Sequence, residues 1–252
     1  MTGKRVRSTR NERADILRIV HTRLHEGADS ARATKKAKQA HSRERWLGVH
    51  ARTVSAAQRH VAAEYSRDPD SLFDMIERLF HGARFREEKE LALALLEDAA
   101  EKLTEAHLVR CLEWFPRLAD ADLIDKLAHA LGATVAELPI VQRRLTEFAR
   151  HMNPLHRRAA VAFAAGSLHL GTKALRTALL VAELATRDRS PQVQEALCRL
   201  LAGLAREAPK SAMPFLARFA DDLPASVYDA AIGALPEPQR RQLAVDRERG
   251  QR

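Results

Sequence analysis

The chain has 252 residues, 46% apolar, 30% charged and 5% aromatic, and its wealth of Ala and Leu with few β-branched residues is the composition of packed helices. No apolar run approaches the ~18 residues that cross a bilayer, and two cysteines, Cys111 and Cys198, make no disulfide framework, which excludes a membrane-spanning chain and a disulfide-stapled secreted domain. The formal charge of +9 is uneven: residues 1–60 hold 15 Lys/Arg against 5 Asp/Glu, a net of +10, and the rest of the chain a net of −1. The expected partner is therefore a polyanion, nucleic acid ahead of a membrane surface.

In chain order, the basic start lacks a following apolar stretch and does not read as a secretory leader, which makes the cytoplasm, at the nucleoid, the expected compartment. Residues 1–40 read as a basic arm with one helix. Thr9 and Glu12 have capping-box spacing ahead of Ile16, Leu17, Val20 and Leu24, and Gly27 ends the run. His21 and His25 stand four apart on that helix, a spacing that chelates metals, but no third ligand accompanies them in sequence. They read as solvated, and no metal or other cofactor is expected. Residues 31–45 are the densest basic run, with Lys35, Lys36 and Lys38 as candidate phosphate contacts against the alternative of a solvated helix or linker.

From residue 41 to 235 the pattern is one of short amphipathic helices, expected at 71–81, 86–102, 105–115, 121–131, 139–150, 154–168, 172–186, 191–207, 210–221 and 225–235. Asp70, Thr104, Asn153 and Ser190 read as N-caps, Pro154 and Pro191 as first-turn prolines, and Gly82, Gly132 and Gly171 as stops. Residues 236–252 read as a polar tail. No stretch alternates with period two. Helix pairs of about 35–40 residues indicate an all-α fold, an α-solenoid of HEAT-like repeats, curved, with a cationic concave face.

Two runs carry candidate chemistry. In Asp120–Gly132, Leu123, Ile124, Leu127 and Leu131 share a face, Asp122 lies opposite it and Asp125 nears its edge. In Asn153–Phe163 the stripe is Leu155, Ala159, Ala162 and Phe163, so Arg157 points to solvent while Arg158 flanks the stripe. The competing reading is two ordinary solvated faces.

The order of these elements resembles the HEAT-like-repeat DNA alkylation repair family, the AlkD-type alkylpurine DNA glycosylases, over roughly residues 40–235. The matching stretches are Leu47-Gly48-Val49, Ala121-Asp122-Leu123-Ile124-Asp125 with Gly132, Arg158-Ala159-Ala160 and Val193-Gln194-Glu195-Ala196. The resemblance implies a monomer that binds DNA and releases N3- or N7-alkylated purines. It makes Asp125 the catalytic carboxylate and Arg158 the phosphate clamp, with Arg143, Arg150, Arg157 and Arg199 as further DNA contacts. This chain departs from the family at two tryptophan positions, occupied here by Ala121 and Arg199. Trp114, at the end of the preceding helix, is the tryptophan that could compensate for the first. The departure keeps open a DNA-binding member without excision, and a protein–protein scaffold stands third.

Duplex DNA should therefore bind with an affinity that falls steeply with salt, each neutralised phosphate adding about −0.9 to the log–log slope. A titration whose slope stays near zero between low and moderate salt removes the nucleic-acid reading. Removal of residues 1–40 is expected, on sequence grounds, to flatten that slope and leave the helices folded.

Overall fold

Caps and prolines set where the helices begin. The computed structural model describes residues 17–40, 42–65 and 68–250. In order these are α1 (residues 17–26), α2 (Ser30–Gln39), α3 (Ala51–Tyr65), α4 (Pro69–Gly82), α5 (Arg86–Ala99), α6 (Glu105–Arg110), α7 (Ala121–Val135), α8 (Pro139–Ala149), α9 (Pro154–Gly166), α10 (Thr172–Ala185), α11 (Pro191–Glu207), α12 (Pro209–Arg218), α13 (Ala225–Ala234) and α14 (Glu237–Gly250). Short 3-10 turns follow α5, α6 and α9. There is no strand among the described residues, so the architecture is the all-α helical-repeat solenoid read from the sequence. Among those residues no helix is long and apolar enough to cross a membrane.

The chain packs as two units, residues 1–108 with 118–126 and residues 109–117 with 127–252. In the first, α4 buries Leu72, Phe73, Met75, Ile76, Leu79 and Phe80 against α5, which contributes Leu91, Leu93, Leu95 and Leu96. Each such side chain contributes about 1.5–3 kcal/mol on leaving water. In the second, α11 is the central element. Its Val193, Leu197, Leu200 and Leu204 are fully buried, and it packs on α9 and α13.

Several boundaries differ from the sequence reading for physical reasons. The cap of α4 is Asp68, which accepts the Ser71 amide at 3.2 Å ahead of Pro69, and not Asp70. Asn153 and Thr104 cap as expected, accepting the Leu155 amide at 3.0 Å and the His107 amide at 3.3 Å. Ser190 caps nothing with its side chain. Its own amide donates to Asp188 at 2.9 Å. Gly132 is no stop: α7 continues to Val135, and a Cβ at 132 would lie 2.7 Å from the Phe163 carbonyl oxygen of α9. Glycine is there for close approach of two backbones.

The basic arm and the polar tail also gain structure. The Thr9–Glu12 box lies outside the described residues, but Val20 and Leu24 of α1 are buried as the periodicity indicates. Within the run 31–45 the helix alternative holds: α2 buries no residue and is capped by Asp29, with Arg32 donating to the Gly48 carbonyl at 2.7 Å and Lys36 to the Val49 carbonyl at 2.9 Å. Removal of residues 1–40 would expose core, which revises the expectation that the rest stays folded. The C-terminal segment forms α14 and buries Leu243.

Gly48 decides the geometry of the loop after α2. Its φ of +76° suits glycine, and a Cβ there would meet the Asp29 carbonyl oxygen at 2.2 Å and the Ala33 nitrogen at 2.5 Å. Gly48→Ala should therefore destabilise the protein by more than about 2 kcal/mol in denaturant unfolding. Gly233→Ala, in α13 with open space around it, should stabilise by about 0.5–1 kcal/mol. Equal effects from the two would refute this account of the loop.

Candidate functional site

The carboxylates of α7 stand at the centre of an ion-pair network in the first unit. Asp120, 3% exposed, closes the helix start by accepting the Asp122 and Leu123 amides at 3.1 and 3.2 Å. Arg86 enters from α5 and pairs with Asp120 at 3.3 Å, with Glu90 at 2.6 Å and with Asp122. Lys126 completes the set, at 2.6 Å from Glu90 and 3.7 Å from Asp122. Burial pushes Arg86 toward its neutral form, but Glu90, Asp120 and Asp122 outweigh it and hold its pKa above the ordinary value. Burial likewise pushes the Glu90 carboxyl up, and Lys126 and Arg86 bring it below the usual range. Asp125 follows one turn after Asp122 and is half-buried, the position its place at the stripe's edge indicates. Asp122 is exposed as expected, yet engaged by Arg86.

Beside this network lies a cleft of about 400 Å³, lined by Lys36, Trp46, Val54, Arg86, Glu87 and Glu90 among others. The Arg86 guanidinium sits 4.4 Å from the Trp46 ring centroid and the Lys36 ammonium 6.0 Å from it. The Trp46 Nε1 is buried without a hydrogen-bond partner. Sequence reasoning missed this cleft, because a lone tryptophan in a loop gives no signal of what stacks on it. Trp114, the other tryptophan, is 1% exposed and belongs to the core of the second unit, so it offers no π face to a ligand.

In the second unit Arg158 is 2% exposed. Its Nη1 donates to the Gln192 carbonyl at 2.7 Å and to Glu195 Oε2 at 2.8 Å. Glu195 Oε1 in turn lies 3.4 Å from Arg199 Nη2, so one carboxylate serves two guanidiniums. The hydrogen bond from Arg158 holds the Glu195 carboxyl below its ordinary pKa. Arg157 is not the solvated arginine that helical phase indicates. It pairs with Asp188 at 2.6 Å and donates to the His151 and Met152 carbonyls at 2.9 and 2.7 Å. Lys35, Lys38, Arg143 and Arg150 are exposed, and Arg199 is half-exposed.

Residues 20–235 match the family described as DNA alkylation repair enzyme. The chain belongs to the DNA alkylation repair enzyme family. A solved structure, the predicted DNA alkylation repair enzyme from Enterococcus faecalis, is similar in fold with a TM-score of 0.68 and 16% identity, covering 83% of this chain and 97% of that one. Comparison with curated proteins gives no match. Membership of the DNA alkylation repair family supports a role in DNA repair for this chain.

The pKa directions fix a pH dependence. A carboxyl whose folded pKa lies below its unfolded value contributes stability that is complete above the unfolded value and lost as pH falls through the folded one. His156 is held below its ordinary pKa by burial and by the nearby His151 and Arg144, so it protonates more readily in the unfolded chain. The melting temperature should therefore ease down as pH falls through about 6.5. It should decline further below about 4.5, a part that Glu90→Gln should make shallower. An unchanged acid profile in Glu90→Gln would show that the Arg86 network contributes nothing to it.

Proposed function

We propose that the chain is a DNA glycosylase that releases cationic N3- or N7-alkylpurines, with Asp125 as its catalytic carboxylate. The observation that carries the reading is the placement of Asp125, half-buried on α7 at the position where the family resemblance puts a carboxylate. Alkylation leaves the purine positively charged and ready to depart, so the site needs little acid catalysis. The C1′–N bond breaks with its electron pair going to the base, and the sugar becomes an oxocarbenium-like cation. A carboxylate beside that cation stabilises it and orients the water that adds to C1′, the water's proton passing to solvent. Neither DNA contact nor excision needs a metal or other cofactor in this scheme.

Exposed Lys35, Lys38, Arg143 and Arg150 are suited to contact phosphates directly. Lys36, Arg157 and Arg158 reach a phosphate only by giving up the internal partners described above. Arg199 keeps half its surface in solvent and supplies charge next to Glu195.

A second reading, DNA binding without excision, rests on Ala121 and Arg199 at positions where the family resemblance places tryptophans. One set of variants separates the two. Asp125→Asn should remove most base release from methylated duplex DNA and leave DNA affinity unchanged or slightly raised, because the carboxylate attracts the sugar only as the bond breaks. Asp122→Asn should lower stability, since Asp122 is a partner of Arg86, and leave excision per folded molecule intact. Arg199→Trp should raise excision if the tryptophan that the family resemblance places at this position takes part in the reaction through its π face. Silence of both wild type and Arg199→Trp in base release, with DNA binding retained, transfers the conclusion to the second reading.

A further inference from the structure

Outside the α7 region, ligating side chains converge where α1 meets the start of α5. His21 and His25 project from α1 one turn apart. Glu88, more than 60 residues after α1 in sequence but adjacent in space, brings a carboxylate that is only 1% exposed. The two oxygens of that carboxylate have different work. Oε2 accepts the Arg84 and Phe85 amides at 2.7 and 3.1 Å and is thereby fixed in direction. Oε1 faces the histidines, 2.8 Å from His21 Nδ1 and 3.6 Å from His25 Nε2. The three donor atoms all lie within 4.8 Å of one another.

We propose that His21, His25 and Glu88 form a binding site for a first-row divalent cation of the Zn²⁺ class, which clips α1 onto α5. Two imidazole nitrogens and a carboxylate oxygen suit such a cation, and hard Mg²⁺ and Ca²⁺ prefer all-oxygen sites. Tetrahedral coordination at about 2.0–2.1 Å spaces donors roughly 3.4 Å apart, between the 2.8 and 3.6 Å that separate Oε1 from the two nitrogens. The remaining closure is a rotation of the two half-exposed rings, which keep 40% and 49% of their side-chain surface in solvent. A preoriented buried carboxylate with two solvent-accessible imidazoles gives both an anchor and an entry path. The Oε2 contacts are the outer-shell bonds that hold such a ligand in place. Three protein ligands leave a fourth position for water. The site is independent of Asp125 and of the glycosylase reading.

The test uses the full chain, freed of metal by chelator and checked for helicity by circular dichroism. Titration with ZnCl₂ followed by calorimetry should give one saturable site, with a rise in melting temperature that MgCl₂ does not produce. CoCl₂ should give the visible absorption of a four-coordinate centre. His21→Ala and His25→Ala change exposed positions of α1 and keep the fold, and each should weaken Zn²⁺ binding by more than about tenfold. Glu88→Gln keeps a hydrogen-bonding oxygen for the Arg84 and Phe85 amides and should weaken it similarly. Absence of a saturable Zn²⁺ site in the folded wild type overturns the proposal. So does a His21→Ala/His25→Ala double variant that binds Zn²⁺ as tightly as wild type, since the metal would then sit elsewhere.

Discussion

Three consecutive charged side chains, Arg86, Glu87 and Glu88, are buried at the first turn of α5, with exposures of 6%, 1% and 1%. Burying charge is costly unless each group is paired and hydrogen-bonded, and here each one is satisfied by a different part of the first unit. Arg86 takes the carboxylates at the start of α7 and stacks on Trp46. Glu87 accepts the Leu47 and Gly48 amides at 2.9 and 2.8 Å. Glu88 closes its own helix start and faces α1. The turn is a hub that fixes the loop before α3, the acidic end of α7 and the N-terminal helix at once. Because each charge is shared among several partners, the links to these three elements hold together.

The same hub explains what the sequence concealed. Residues 86–90 read as the ordinary charged opening of a surface helix, because amphipathic patterning says nothing about partners contributed by distant loops. The Leu47-Gly48-Val49 turn is visible as a motif, but its reason is not. Gly48 takes a left-handed φ so that two successive amides point at Glu87. The histidines of α1 lacked a third ligand in sequence because Glu88 arrives through tertiary packing. By contrast, the helices from α4 to α13 were legible to within a few residues, since each carries its own apolar stripe and most carry a local cap or proline.

One regularity makes part of the candidate site readable after all. Cross-helix ion pairs recur about one repeat apart: Arg86 with Asp122 at a separation of 36, Lys126 with Glu90 at 36, Arg158 with Glu195 at 37 and Arg187 with Asp222 at 35. In stacked repeats the residue one period away is the lateral neighbour. Helical phase alone made Arg157 a solvated residue, and its partner Asp188, 31 residues on in the loop before α11, falls outside that period as well. Phase reports which face of a helix a side chain occupies. The repeat period reports what stands opposite that face. The exposed pair Arg187–Asp222 adds little to stability, and in the pair of buried Arg158 with exposed Glu195 water screens the carboxylate while the Gln192 carbonyl shares the guanidinium.

The glycines at the α7–α9 crossing set the mechanics of the second unit. With a Cβ at 132 forced against the Phe163 carbonyl and one at 166 placed 3.1 Å from the His129 Cα, the two helices meet main chain to main chain. Side chains that separate other helices can change rotamer and let them slide. Here nothing lies between to deform, so the part of α7 that belongs to the second unit, from Leu127 on, moves with α9 as a single plate. Any flexing within the second unit is then displaced to layers whose spacing is set by long side chains, such as Leu168 against Gly203.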